Sequence, residues 1–317
     1  MQSHKRRGII DSLSAGFTIA TRRPLLLSLP LLLDLLLWLA PGISIKSAVN
    51  SATSWLTSSL ITAPVTPEQL AANKLQIDSL AEVMAGINML GILGWRLPSM
   101  IGVSPITERL HSVWNVGSGE GVVFLFAGLA FAAIILSCVY MIPPALIVRP
   151  RTISPAAILG EFPFAFARLA SYLLILILSV GILVVGLLLV TLALSSLGPA
   201  ALGLVSILAL CAVLLLSVYL FLVEEAIFVG QCGPFAAISQ SIRIANRNFW
   251  SVLGLFLLIN IITQGMGIVW RLLAGSTPGL AFSVLGHAYI ATGLTAAVMV
   301  YYWDLLHIAP QEPVHSS

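Results

Sequence analysis

The chain has 317 residues, of which 59% are hydrophobic and 9% charged, and its net charge is +3. A water-soluble domain carries roughly 25% charged residues, so water is excluded as the main solvent, and so small a net charge excludes a nucleic-acid surface. Cys138, Cys211 and Cys232 form no CxxC pair, which argues against a disulfide or zinc framework.

The N-terminus carries Lys5, Arg6 and Arg7, then an amphipathic stretch with Ile10, Leu13, Phe17 and Ala20, then Arg22 and Arg23 before an apolar run. A cleaved signal peptide would need a shorter basic region, no Asp34 in its core and a better small-x-small site than Leu39-Ala40-Pro41-Gly42. The run therefore reads as an uncleaved first span. A helix needs about 20 apolar residues to cross the hydrocarbon layer, because no backbone group can stay unpaired there. Six stretches qualify: 24–40, 122–148, 169–194, 200–223, 249–273 and 280–306. The first is the shortest and contains Pro30 and Asp34.

Basic residues resist translocation. The five early ones, with Arg149, Arg151, Arg168, Arg243 and Arg247, fall on one side of a six-span arrangement. That side is expected to be cytoplasmic, with both termini on it, in the cell membrane. Lys46, Lys74, Arg96, Arg109 and Arg271 fall on the other side, three of them deep in a long loop where the rule has little force.

Residues 1–317 read as one membrane domain, with residues 41–121 as an extracytoplasmic helical insertion between spans 1 and 2. Thr66, Pro67 and Gln69 form an N-cap, a first-turn proline and a capping-box glutamine, so a helix is expected to start there. Leu70, Ile77, Leu80, Met84, Ile87 and Leu90 form its apolar stripe, with Lys74, Asp78 and Glu82 mostly opposite.

An amphipathic stretch and an arginine precede each odd-numbered span. Phe235, Ile238, Ile242, Ala245 and Phe249 make the clearest stripe, and the copy at residues 156–168 is expected to be broken by Pro163. Val139-Tyr140, Val218-Tyr219 and Val300-Tyr301 echo one another in the even-numbered spans. The expected fold is all-α, a polytopic transmembrane bundle of three hairpins, each led in by an amphipathic helix lying at the interface.

The run Glu224-Glu225-Ala226-Ile227-Phe228-Val229, followed by Gly233-Pro234-Phe235-Ala236-Ala237-Ile238, Ser241, Ile242 and Asn248-Phe249-Trp250, resembles a signature of poorly characterised bacterial polytopic membrane proteins. That group includes the membrane domain attached to some glycerophosphodiester phosphodiesterases. The resemblance spans about 30 of the residues, with weaker echoes at the other two hairpins. No soluble phosphodiesterase domain accompanies it here, so it implies a membrane module and not that enzyme's chemistry.

A search for catalytic patterns eliminates several activities. No lysine follows a glycine, so there is no P-loop. Gly117-Ser118-Gly119-Glu120-Gly121 lacks the strand context of a dinucleotide fingerprint and reads as a flexible lead-in. No histidine is followed by glutamate, as a zinc protease helix requires, and no serine sits in a Gly-x-Ser-x-Gly elbow. The Glu224-Glu225 pair resembles that of CAAX-type intramembrane proteases, but Val229 stands where that family has an arginine. No catalytic, metal-binding or cofactor-binding residue is assigned.

What remains is a set of polar residues in or beside apolar runs, costly to place in lipid and so expected to face protein or water: Asp34, Glu224, Glu225, Asn260, Gln264, His287 and Asp304. Glu224 and Glu225 are expected at the end of the fourth span, able to pair with arginines at the same depth, as is Asp304 at the end of the sixth. Asp34 is expected to be protonated or to meet Arg271. Asn260, Gln264 and His287 could hydrogen-bond between helices. Three functions follow: a non-catalytic scaffold, assembly or lipid-organising module; a transporter or channel for a small or lipidic solute; and a lipid-acting intramembrane enzyme. The expected partners are the lipid bilayer and other membrane proteins.

Overall fold

The structure is a computed structural model and describes residues 8–61, 67–94, 97–99, 113–194 and 199–307. Lys5, Arg6, Arg7, Thr66, Arg96, Arg109 and the side chains of Gln69, Leu70 and Leu80, all invoked above, lie outside the described residues. The protein is an all-α polytopic membrane protein. Five stretches are long and apolar enough to cross a bilayer: α5 (Gly119–Val148), α6 (Pro155–Leu194), α7 (Pro199–Leu220) continued by α8 (Val223–Phe228), α10 (Phe249–Leu273) and α11 (Thr277–His307). The first apolar run is shorter than the others, a 3-10 turn (Pro24–Leu27) leading into α2 (Ser28–Leu39). Pro30 is harmless there, because in a first helical turn its missing N–H has no partner to lose.

The chain forms two compact units. One comprises Met1–Leu26, Cys138–Ile268 and Ile290–Ser317; the other comprises Leu27–Ser137 and Val269–Tyr289.

In the second unit, β1 (Gly42–Ser44) pairs in parallel with β2 (Val113–Asn115), Ile43 opposite Trp114. Asn88 anchors this ribbon: its Oδ1 accepts from the backbone N–H of Ile43 at 3.1 Å and of Leu90 at 3.2 Å. α3 (Lys46–Ile61) packs on α4 (Pro67–Gly86), which starts at the expected proline. α3 itself has no strong sequence signal, being rich in Ser, Thr and Asn, which are weak helix formers. Its hydroxyls bond carbonyls of their own helix, Ser51 to Ser47 and Ser58 to Trp55 among them.

A small core of Ile45, Val49 and Met89 is covered by Ala81 of α4 and by Val122, Leu125 and Leu129 of α5. Of the apolar stripe expected along α4, Met84 and Ile87 are exposed and Ile77 is half-buried, the side chains of Leu70 and Leu80 lie outside the described residues, and a small residue, Ala81, makes the contact with this core.

In the first unit, two 14-residue helices dock through small residues four apart. α1 (Ile9–Arg22) buries Ser12, Gly16 and Ala20, and α9 (Pro234–Arg247) buries Ala237, Ser241 and Ala245 along with Ile244. Of the apolar stripes expected to lie at the interface, Ile10 and Phe235 are exposed, Leu13, Phe17 and Ile238 are half-buried, and Ala20 and Ala245 are buried. Lipid accounts for the exposed ones, since it solvates large apolar side chains as well as a protein core does, and close helix approach needs small ones. Gly16 lies so near α11 that a Cβ there would overlap the backbone of Gly293 and Ala297, while a Cβ on Gly293 would come within 2.5 Å of the Phe17 ring.

Between these two helices in sequence, Pro163 does not break the chain as expected. α6 runs unbroken from Pro155, capped by Ser154 Oγ accepting from the Ala157 N–H at 3.1 Å. Pro163 and Leu159, whose carbonyl loses its donor, both lie on the exposed face, so the defect disturbs no packing.

Candidate functional site

The seven polar residues fall in both units, and each unit is taken by itself. Asp34, in the second unit, is completely buried and accepts a 2.6 Å hydrogen bond from Ser99 Oγ. His287, half-buried on α11, is within electrostatic reach of Asp34. Asn260 and Gln264 on α10 are both exposed. The Asn260 amide does not reach another helix as expected; it donates to the Phe256 carbonyl one turn back, at 2.8 Å, which satisfies it within its own helix.

Glu224 and Glu225 lie at the end of the fourth crossing stretch, as expected, but beyond a break in its helix. α7 stops at Leu220, and both acids sit on α8, a six-residue helix buried along its whole length. The interruption comes from α9. Ser241 Oγ donates to the Tyr219 carbonyl at 2.6 Å and accepts from the Leu222 N–H at 3.3 Å. A side chain inserted into a helical ladder in this way breaks the helix without leaving its backbone unsatisfied.

At the other end of α8, the N–H groups of Val229 and Gly230 converge on the Glu225 carbonyl at 2.8 and 3.0 Å. Gly230 is required by space: a Cβ there would lie 2.5 Å from the Tyr302 hydroxyl and 2.8 Å from the Ala226 carbonyl. Tyr302 is fully buried, within electrostatic reach of Glu225, Cys232 and Arg243. The Cys232 thiol donates to Gln240 Oε1 at 2.8 Å. Burial pushes this thiol above its ordinary pKa, with the charges of Arg168 and Arg243 pulling the other way.

Close to α8 lies a second polar cluster that the sequence search passed over. Arg149, at the end of α5, is buried and pairs with Glu161 of α6, which also meets Arg151 at 3.4 Å. Arg151, Glu161 and Arg168 line a cavity of about 230 Å³ that also has Gln231 on its wall. Gln231 has φ +54°, a left-handed conformation that non-glycine residues seldom adopt. A neighbouring cavity of about 490 Å³ shares Arg151, Gly160 and Glu161. A third, of about 740 Å³, is lined by Asp11, Thr18, Trp303 and Asp304.

In the sequence these arginines serve only as markers of sidedness. The spacing of Glu161 and Arg168, two helical turns apart on one face, was the available signal for a site there. Among the described residues no three His, Cys, Asp or Glu side chains gather as a metal site. No family model, curated protein or solved structure matches the chain.

Proposed function

We infer that this protein is a non-catalytic module of the cell membrane, a scaffold, assembly factor or lipid-organising protein with six spans and both termini in the cytoplasm. The observation that carries this reading is the lining of the three cavities described above. The three cavities together take in only Asp304 of the seven, so none of them brings an acid and a base of that set together around a common site. A transport pathway or a lipid-cleaving site calls for such convergence.

Two further features support the reading. α1 and α9 each carry an exposed large apolar residue in the first turn, Ile10 and Phe235, and an arginine in the last, Arg22 and Arg247, the character of helices that lie in the interface. Their matching small-residue spacing favours related hairpins, with residues 41–121 inserted in the first. The resemblance to the membrane domain attached to some glycerophosphodiester phosphodiesterases favours a membrane module of this kind.

Photocrosslinking tests this. A photoreactive residue at Ile10 or Phe235 should give lipid adducts in cells, and proteoliposomes should show no proton or sodium flux above empty vesicles. Flux abolished by Asp304→Asn or Glu225→Gln would replace this reading with transport.

A further inference from the structure

The end of α5 and the start of α6 gather three guanidiniums, Arg149, Arg151 and Arg168, around one carboxylate, Glu161. The carboxylate is already answered. Arg149 holds it from a buried position, with its Nε turned to the Ala145 carbonyl at 3.3 Å. Arg151 touches the same acid only at 3.4 Å from a largely exposed side chain, and Arg168 makes no hydrogen bond or ion pair with any described residue. Besides the Arg149–Glu161 pair, two guanidiniums therefore border one cavity.

The cavity is shaped on both its polar and its apolar sides. Phe164, Ala165, Ile227 and Phe228 form an apolar wall, and a charge beside such a wall is screened less than one in open water. Gly160 lies on the wall with open space where its Cβ would be, although glycine is among the poorest residues for a helix interior. Gln231, an amide with two N–H donors, is kept in a backbone conformation that a glycine would adopt without strain. Arginines that served only to set sidedness would not need the strained Gln231 beside them.

Guanidinium groups are planar forks that match phosphate oxygens in pairs, and basic pockets beside membrane helices take anionic headgroups. We propose that this cavity binds a phosphate ester, with Arg151 and Arg168 holding the phosphate and the Phe164, Ala165, Ile227 and Phe228 wall holding its substituent. The inference deepens the lipid-organising reading and rests on it for a membrane source of the ligand. Two sources share the chemistry, the headgroup of an anionic phospholipid and a soluble ester such as glycerol phosphate.

Full-length protein in dodecyl maltoside separates them. Binding of short-chain phosphatidylglycerol, of glycerol 3-phosphate and of inorganic phosphate would each be titrated by the shift in thermal unfolding. Arg168→Gln and, independently, Gly160→Leu would be compared with the wild type. Leucine favours the helix and fills the cavity, so the second variant stays informative if the first does not fold.

Saturable phosphatidylglycerol binding, weakened at least about tenfold by either variant, supports the site and its lipid source. Saturable binding of glycerol 3-phosphate alone, with the same sensitivity, supports the site and removes the lipid-organising reading. Absence of saturable binding by all three ligands, or binding unchanged in every variant that folds, overturns the proposal.

Discussion

α6 and α11 are both membrane-crossing helices, yet they face opposite surroundings. The most apolar window of α6 has a mean hydropathy of 3.3 and none of it is buried in the protein; that of α11 has 1.5 and 56% is buried. In a water-soluble protein the more apolar helix would be the central one. Here hydrocarbon is the solvent, so leucine and valine gain nothing by leaving it, and central positions go to helices whose small residues allow close backbone approach. α11 supplies Gly293, Ala296 and Ala297, all buried, where α6 supplies exposed Leu178, Ile182 and Val185.

The largest effect that would test this contrast comes from Gly16→Leu. Its side chain has to enter backbone already occupied by Gly293 and Ala297. Overpacking of this kind costs about 3 kcal/mol, and thermal unfolding in detergent should show a correspondingly large fall in midpoint. An unchanged midpoint would mean that α1 and α11 do not touch there.

Ile182→Lys comes next. Residue 182 is 75% exposed on α6. A lysine at the centre of a span disfavours insertion by about 3 kcal/mol, which a glycosylation-based insertion assay reads directly. Free insertion would show that this face meets water or protein instead of lipid.

Ser241→Ala should cost about 1–2 kcal/mol, because it leaves the Tyr219 carbonyl and the Leu222 N–H unpaired in a buried place. Faster hydrogen exchange at Leu222 is the signature that separates this cause from a general loosening of α9. Gly181→Leu should do least, within about 0.5 kcal/mol, because nothing lies within 4 Å of a Cβ there. It adds the same leucine that Gly16→Leu adds, so the difference between the two isolates packing from helix propensity.

The sequence made the existence of the long spans legible, and their ends, because a bilayer imposes a length and a composition on any helix that crosses it. Facing was much less legible. The stripe Phe235, Ile238, Ile242, Ala245 and Phe249 marked α9 as an interfacial helix, yet of these only Ala245 is fully buried, beside Ala237 and Ser241, which the stripe left out. α3 escaped notice because its helix is built from serine and threonine. The break before Glu224 escaped because its cause, Ser241, lies well beyond it in the chain. Of the candidate residues, Asp34, Glu224, Glu225 and Asp304 are buried as their polarity in an apolar context suggested, while the arginine-lined cavity depends on Glu161 and Gln231, which no motif marks.

The contact between Gly16 and Gly293 joins the first described helix to the last. A ribosome delivers the chain from its N-terminus, so α1 emerges long before the surface it fits has been synthesised. Until α11 arrives, the Ser12, Gly16 and Ala20 face has no docking partner on that side, and the first unit closes only once residue 297 has been made. Chains truncated before residue 293 would therefore leave α1 undocked, giving the cell's quality control a mark of an incomplete first unit.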